Sequence, residues 1–118
     1  MSENESSDKW EVQLRKGTLE LAILAALWTG KLYGLEILRR LESASDLVIS
    51  EGTVYPLLTR LKALGLLTSQ WVESDAGHPR KYYELTAEGR RRAIQMTALW
   101  IRFANTMNRV IAPLGKDL

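Results

Sequence analysis

Hydrophobic positions along this chain follow helical spacing in four stretches and give way to strand-like runs in one, and each change of rhythm predicts an element. From Gln13 to Trp28 the second half is apolar nearly all round, so a helix there is buried on more than one side. After a break at Thr29 to Lys31, "LYGLEILRRLE" sets Leu35, Leu38 and Leu41, with Ile37 beside them, on one stripe and Glu36, Arg39 and Arg40 outside it. This predicts a second helix over residues 32–42, ending before the polar "SASD". In "SEGTVYPLLTRLKALGLL", residues 50–67, Val54, Leu57, Leu58, Leu61 and Leu64 recur at spacings of three and four. Ser50 suits an N-cap, Glu51 suits the positive end of the helix dipole, and Gly65 is a stop signal.

The next rhythm is shorter. "LTSQWVES" and "KYYELT" are rich in Trp, Val, Thr and Tyr and flank the turn-forming "DAGHPR", which predicts a two-stranded hairpin. Thr86 can then cap a long helix whose apolar positions Ala93, Met96, Trp100, Phe103, Met107, Val110 and Leu114 step by three and four. A seam of that length needs a partner. The first dozen residues, "MSENESSDKWEV", carry little apolar content and read as a tail, or an arm that orders only against something else.

Three helices, a hairpin and a long helix, in that order, predict a mainly α (α+β) fold: a winged helix-turn-helix with a two-stranded wing and a long C-terminal dimerisation helix. The expected units are a flexible tail at 1–12, a DNA-binding domain at 13–86, a dimerisation helix at 87–112 and a C-terminal tail at 113–118. The third helix would be the reader of DNA. It contains two poor helix formers, Gly52 and Pro56. A recognition helix meets DNA with its N-terminal residues, where free N–H groups favour phosphate, and a small residue at 52 lets the backbone approach closely. Pro56 removes one intrahelical bond and crowds the carbonyl of residue 52, where a glycine relaxes most easily. The other reading is a late helix start, with "SEGT" as loop and Pro56 in the first turn. Both leave Ser50, Thr53, Tyr55, Pro56, Thr59 and Arg60 off the leucine face.

Composition narrows the chemistry. The 118 residues contain no cysteine and one histidine, His78, which removes disulfides, thiolate sites and a metal shell. Without a glycine-rich phosphate cradle or paired carboxylates, no triad or acid/base pair can be assembled, so neither enzyme nor cofactor is expected. The longest apolar run, Leu21 to Trp28, is far below the roughly 18 residues that span a bilayer, and no leader pattern precedes it. A cytoplasmic location is expected. Net charge is only +2, but Arg60, Lys62, Arg80, Lys81, Arg90, Arg91 and Arg92 all fall in the second half, which suits a polyanionic partner.

At "RKGTLELAILAAL", "YGLEILRRL", "EGTVYPLLTRLKALGLL" and "GHPRKYYELTAEG" the chain resembles the PadR-like transcriptional regulators, in particular their short class with a single C-terminal helix. The resemblance runs from about Leu14 to Val110. It implies a homodimeric DNA-binding regulator, usually a repressor, with the winged domain on operator DNA and the last helix in the dimer interface. It also implies an effector role for Trp100. In the multidrug-sensing branch a tryptophan at the matching place, fifteen residues after the leucine that closes the wing, lines a cavity that stacks flat aromatic compounds, and Trp100 keeps that spacing from Leu85.

The expected DNA contacts are Ser50, Thr53, Tyr55, Pro56, Thr59, Arg60 and Lys62 on the reading helix and Arg80 and Lys81 at the wing, beside Gly77 and Pro79. Tyr55 has a second reading as an amphipath under the wing, and Arg80 and Lys81 as charges that keep a hairpin tip soluble. Arg60 has the planar fork for bidentate contact with guanine or phosphate; Lys62 is a point charge. "GRRRA" reads as a phosphate clamp or as a solvated helix start. Met96, Trp100, Phe103 and Met107 are expected at the dimer interface, and a small aromatic or cationic effector would relieve operator binding there. The expected operator is duplex DNA, as an inverted repeat. The alternative is a winged-helix protein-interaction module without sequence-specific DNA binding; it would show exposed apolar residues on the third helix, where this chain has Thr, Tyr and Arg.

Overall fold

The computed structural model describes residues 3–44, 49–75 and 77–117, with side chains from Lys9 to Lys116. The expected loop residues Ser45 and Asp46, the turn residue Ala76 and the terminal Met1, Ser2 and Leu118 lie outside the described residues. The chain runs α1 (Glu3–Ala26), β1 (Leu32–Tyr33), α2 (Gly34–Glu42), α3 (Glu51–Ala63), β2 (Leu67–Val72), β3 (Arg80–Leu85) and α4 (Ala87–Ile111), closing with a 3₁₀ segment, Ala112–Asp117. None of the described helices is long and apolar enough to cross a membrane.

The core forms where the apolar stripes of the first three helices converge. Ile23 and Leu24 of α1, Leu27 just after it, Ile37 of α2 and Val54, Leu58 and Leu61 of α3 are wholly buried, and Leu67, Tyr83 and Leu85 close it from one face of the sheet. The sheet is antiparallel with strand order β1-β3-β2. Leu67 pairs with Leu85, Ser69 with Tyr83 and Trp71 with Lys81, so one face carries the core and its continuation. Thr68, Gln70, Tyr82 and Glu84 stand on the other face.

Several expectations are corrected here. The first helix begins at Glu3 rather than Gln13, so residues 3–12 are helical and not a tail; Glu, Ser and Lys are acceptable in a solvated helix once a buried segment nucleates it. Leu32 and Tyr33 do not start α2. They pair with Tyr83 and Tyr82 as a third strand, so the sheet has one more member than the hairpin. α2 starts at Gly34, where the Tyr33 N–H donates to Glu36 Oε1 at 3.1 Å. Leu64 is exposed, because the helix has ended before it and its side chain falls outside the core arc. The long helix stops at Ile111 and the expected tail from 113 continues as 3₁₀ turns up to Asp117.

The late-start reading of α3 is also corrected. The N–H groups of Thr53 and Val54 both donate to Ser50 O, at 3.0 and 3.1 Å, which fixes Ser50 as N-cap and leaves Pro56 inside the helix. Gly52 and Pro56 face solvent, so water can satisfy the carbonyl that the proline leaves without a donor. At the other end Gly65 takes φ +78°. The Leu66 N–H then reaches Leu61 O and the Gly65 N–H reaches Lys62 O, both at 3.0 Å. This is a Schellman turn, and its left-handed residue is cheapest as glycine.

Candidate nucleic-acid interface

α3 turns Val54, Leu58 and Leu61 into the core, and the same rotation exposes Ser50, Thr53, Pro56, Thr59, Arg60 and Lys62. These six occupy the exposed arc of the helix, where the spacing put Ser50, Thr53, Pro56, Thr59 and Arg60. Ser50 and Thr53 hydroxyls lie 3.2 Å apart at its head, and Thr59 donates to Tyr55 O at 3.2 Å. Arg60 and Lys62 make no ion pair among the described residues. Tyr55 divides its ring between two environments. One edge rests on Gly34 at the start of α2, where a Cβ would strike the ring, and 38% of the residue remains exposed.

The wing does not hold its two basic residues together. Arg80 belongs to β3, opposite Val72, and not to the turn. Alternation sends it to the face away from the core, where its guanidinium lies 4.5 Å over the Tyr33 ring. Lys81 points to the core side, with Nζ 5.9 Å from the centre of the Trp71 ring and 5.7 Å from that of Tyr83. Lys81 thus stays on the α3 side of the sheet, and Arg80 does not. The connection at its end is pinned by Ser74 Oγ donating to His78 O at 2.6 Å, and His78 itself is exposed.

Two features were not anticipated. Trp71 stands 65% exposed beyond the core on the face shared with Lys81 and Tyr83; its composition signal was visible, but its side depends on strand register. Val12, Arg15 and Lys16 of α1 border a depression shared with Ser50 and Thr53. This brings basic side chains of the first helix beside the start of the third, although Arg15 also pairs with Glu11 at 3.1 Å. No local pattern could have revealed that contact.

The ionisation of Tyr83 is displaced. Burial raises its phenol above the ordinary value, and the neighbouring Tyr55 adds to the shift. No group of three or more metal-binding side chains occurs among the described residues.

The second expected site lies on α4. Met96 is half-buried, whereas Trp100, Phe103 and Met107 are exposed at 43%, 61% and 39%. Met96, Trp100 and Phe103 border a groove with Gly17, Thr18 and Leu21 of α1, and the guanidinium-bearing Arg92 and Arg102 border it too. A more apolar groove lies on the other flank, between Leu21 and Ala25 of α1, with Trp28 in the turn after it, and Ile94 and Ile101 of α4. The three arginines of "GRRRA" are separated in use: Arg90 lies 4.9 Å over the Trp28 ring, Arg91 pairs with Glu88, and Arg92 borders the first groove.

This arrangement of a polar third helix, a hairpin and a long exposed helix coincides with a family model. The model for the transcriptional regulator PadR-like family matches residues 23–95. The chain belongs to the PadR-like family. A PadR-like transcription factor from Bacteroides fragilis is 42% identical, with a TM-score of 0.72 over 86% of this chain and 98% of that one. A PadR family regulator from Eggerthella lenta DSM 2243 is 30% identical, with a TM-score of 0.83 over 92% of this chain and 94% of the other. A PadR-like regulator from Bacillus cereus is 31% identical, with a TM-score of 0.76 over 84% and 96%. No curated protein matches the chain. As a PadR-like chain it is a transcriptional regulator and not an enzyme. The family match ends at Gln95, so most of α4, with Trp100 and Phe103, lies beyond it.

Proposed function

We propose that this PadR-like regulator is a homodimeric repressor that reads an inverted-repeat operator with α3 and is released by a small planar aromatic compound at the α4 interface. The observation that carries the DNA reading is the exposed polar face of α3. A helix that buried this side against a protein would be expected to offer apolar groups there, yet it offers hydroxyls, Arg60 and Lys62. Arg60 is assigned to base-edge or phosphate contact, Lys62 to phosphate, and Ser50, Thr53, Pro56 and Thr59 to the close approach at the helix head. Lys81 serves the wing with Trp71 beside it. Arg80 contributes by fixing β1, and Tyr55 by holding α3 to α2.

The exposed apolar side of α4 supports pairing of two copies, because Trp100, Phe103 and Val110, with Leu114 in the 3₁₀ segment beyond, are large apolar side chains left in water. Two-fold pairing would set the reading helices about one turn of duplex, ~34 Å, apart. Arg92 and Arg102 beside Trp100 favour a neutral or anionic effector over a cationic one.

The test is selection of bound duplexes from a random pool, followed by affinity against salt. An enriched inverted repeat, bound with a steep fall in affinity as salt rises, is the expected result. Recovery of no enriched duplex would end the DNA reading and favour a protein partner for α3.

A further inference from the structure

The ends of α3 and α4 meet at one small joint. Thr86, the N-cap of α4, accepts from the Gly89 N–H at 3.0 Å and with the same oxygen donates to Gly65 O, the left-handed residue that ends α3, at 2.6 Å. Its own N–H donates to Leu66 O at 3.1 Å, one step past the Leu67–Leu85 pair. Gly89 is buried against that same Leu66 carbonyl so closely that a Cβ would be driven into the oxygen, with Leu85 Cδ2 a further 3.2 Å neighbour. Two hydrogen bonds and one steric contact thus fix the first turn of α4 on the residues that close α3, and the third bond caps α4 itself.

From these contacts we propose that Thr86 and Gly89 are positioning residues that set the separation of the two reading helices, and so the half-site spacing the regulator prefers. The inference rests on the dimer and DNA readings above. Its physical basis is a lever. α3 has 13 residues and is roughly 20 Å long at 1.5 Å per residue, with the joint at its C-terminal end and its reading end at the other. A rotation of ~10° at the joint displaces the reading end by roughly 3.5 Å, close to the ~3.4 Å step of one base pair. Two-fold symmetry applies that displacement twice. α4 is also held along its length by α1, where Arg90 stacks on Trp28 and Ala93 enters the core, so the hydroxyl of Thr86 and the missing side chain of Gly89 set where its first turn sits relative to the end of α3.

The chain has no cysteine, which makes site-specific labelling straightforward. Full-length protein carrying Glu51→Cys, exposed at the reading end of α3, is spin-labelled and the label-to-label distance in the dimer is measured for three joint variants. Spacing preference is read in parallel from duplexes whose selected half-sites are separated by different numbers of base pairs. Gly89→Ala should move the distance by a few ångströms, on the order of 3 to 7 Å, and shift the preferred spacing by about one or two base pairs. Thr86→Val, which keeps the shape and removes the hydroxyl, should broaden the distance distribution and flatten the preference among spacings; Thr86→Ser should restore both. Simple loss of a helix cap would lower stability without moving the preferred spacing. Should Gly89→Ala not fold, Thr86→Val against Thr86→Ser decides. Unchanged distances in folded variants overturn the proposal, as does a moved distance with an unmoved spacing optimum. Distances that move in a wild-type background that enriches no duplex leave the joint as a positioning device and remove the DNA reading instead.

Discussion

The guanidinium of Arg80 lies 4.5 Å over the ring of Tyr33, and Tyr33 meets Tyr82 edge to face at 5.5 Å. This stack fastens the two-residue strand β1 to the sheet, which a pair of backbone partners alone would hold weakly. Arg80→Met, which keeps an unbranched stem, should lower folding stability by about 0.5 to 1 kcal/mol through loss of the cation–π contact. Denaturant unfolding measures this. A variant as stable as wild type would show that Arg80 does not hold the strand and return it to the candidates for DNA contact.

Arg60 and Lys62 are neighbours on one helix but should respond differently to removal. Arg60→Ala should cost roughly 1 to 3 kcal/mol on a selected operator and narrow the gap between that site and random duplex. Lys62→Ala should weaken all duplexes alike and reduce the salt slope by about one. Titrations at several salt concentrations separate the two, and identical behaviour of both variants would deny Arg60 a base contact.

Phe103 is exposed in the single chain, so Phe103→Asp should leave the fold of one copy intact while placing charge in the proposed interface. Sedimentation should then report a monomer, and affinity for the full inverted repeat should fall at least tenfold, on the order of 1.4 kcal/mol or more. A charged variant that remains dimeric would move the interface elsewhere on α1 and α4.

Effector binding predicts that a planar anionic aromatic compound quenches Trp100 and weakens operator binding by the same coupling factor that DNA imposes on the compound. Trp100→Phe subtracts Trp10, Trp28 and Trp71 from the signal. Equal quenching of both proteins would reduce Trp100 to interface packing.

Tyr83 gives a pH prediction. Its phenol is raised by burial and then by Tyr55, so the fold favours the neutral form. The stabilisation is fully present below the unfolded value near 10 and is lost as pH rises through the higher folded value. Thermal midpoints should therefore be insensitive to this group from neutral pH to about 9 and fall above 10. That part of the fall should be missing in Tyr83→Phe; an identical alkaline profile would mean that Tyr83 ionises as freely as an exposed phenol.

The helices and hairpin were legible because each rests on local periodicity: Val54, Leu58 and Leu61 announce their face, and Ser50, Gly65 and Thr86 announce ends. What stayed hidden depends on contacts between distant segments. Leu32 and Tyr33 continue a helical pattern by residue type, and only Tyr82 and Tyr83, far along the chain, make them a strand. The stop at Gly65 and the cap at Thr86 could each be read, but not the bond between them. The separation of Arg80 from Lys81 was readable in principle, since adjacent strand residues face opposite sides. Reading Arg80 as part of the turn "DAGHPR" concealed it. Lys16 reaches the head of α3 only through the packing of α1, for which the sequence carries no local signal.

The pairing of Leu32 with Tyr83 spans 51 positions. During synthesis, at about 5 to 20 residues per second, an emerging β1 waits roughly 3 to 10 s for its partner strand to be made. The β2–β3 hairpin closes within microseconds of becoming available. The sheet is therefore assembled from its late edge backward, and until then the apolar side of α1 has no sheet to help cover it. In a crowded cell that interval, rather than the marginal stability of the finished fold, is when a nascent chain is most open to capture by chaperones or by its own siblings on the same messenger.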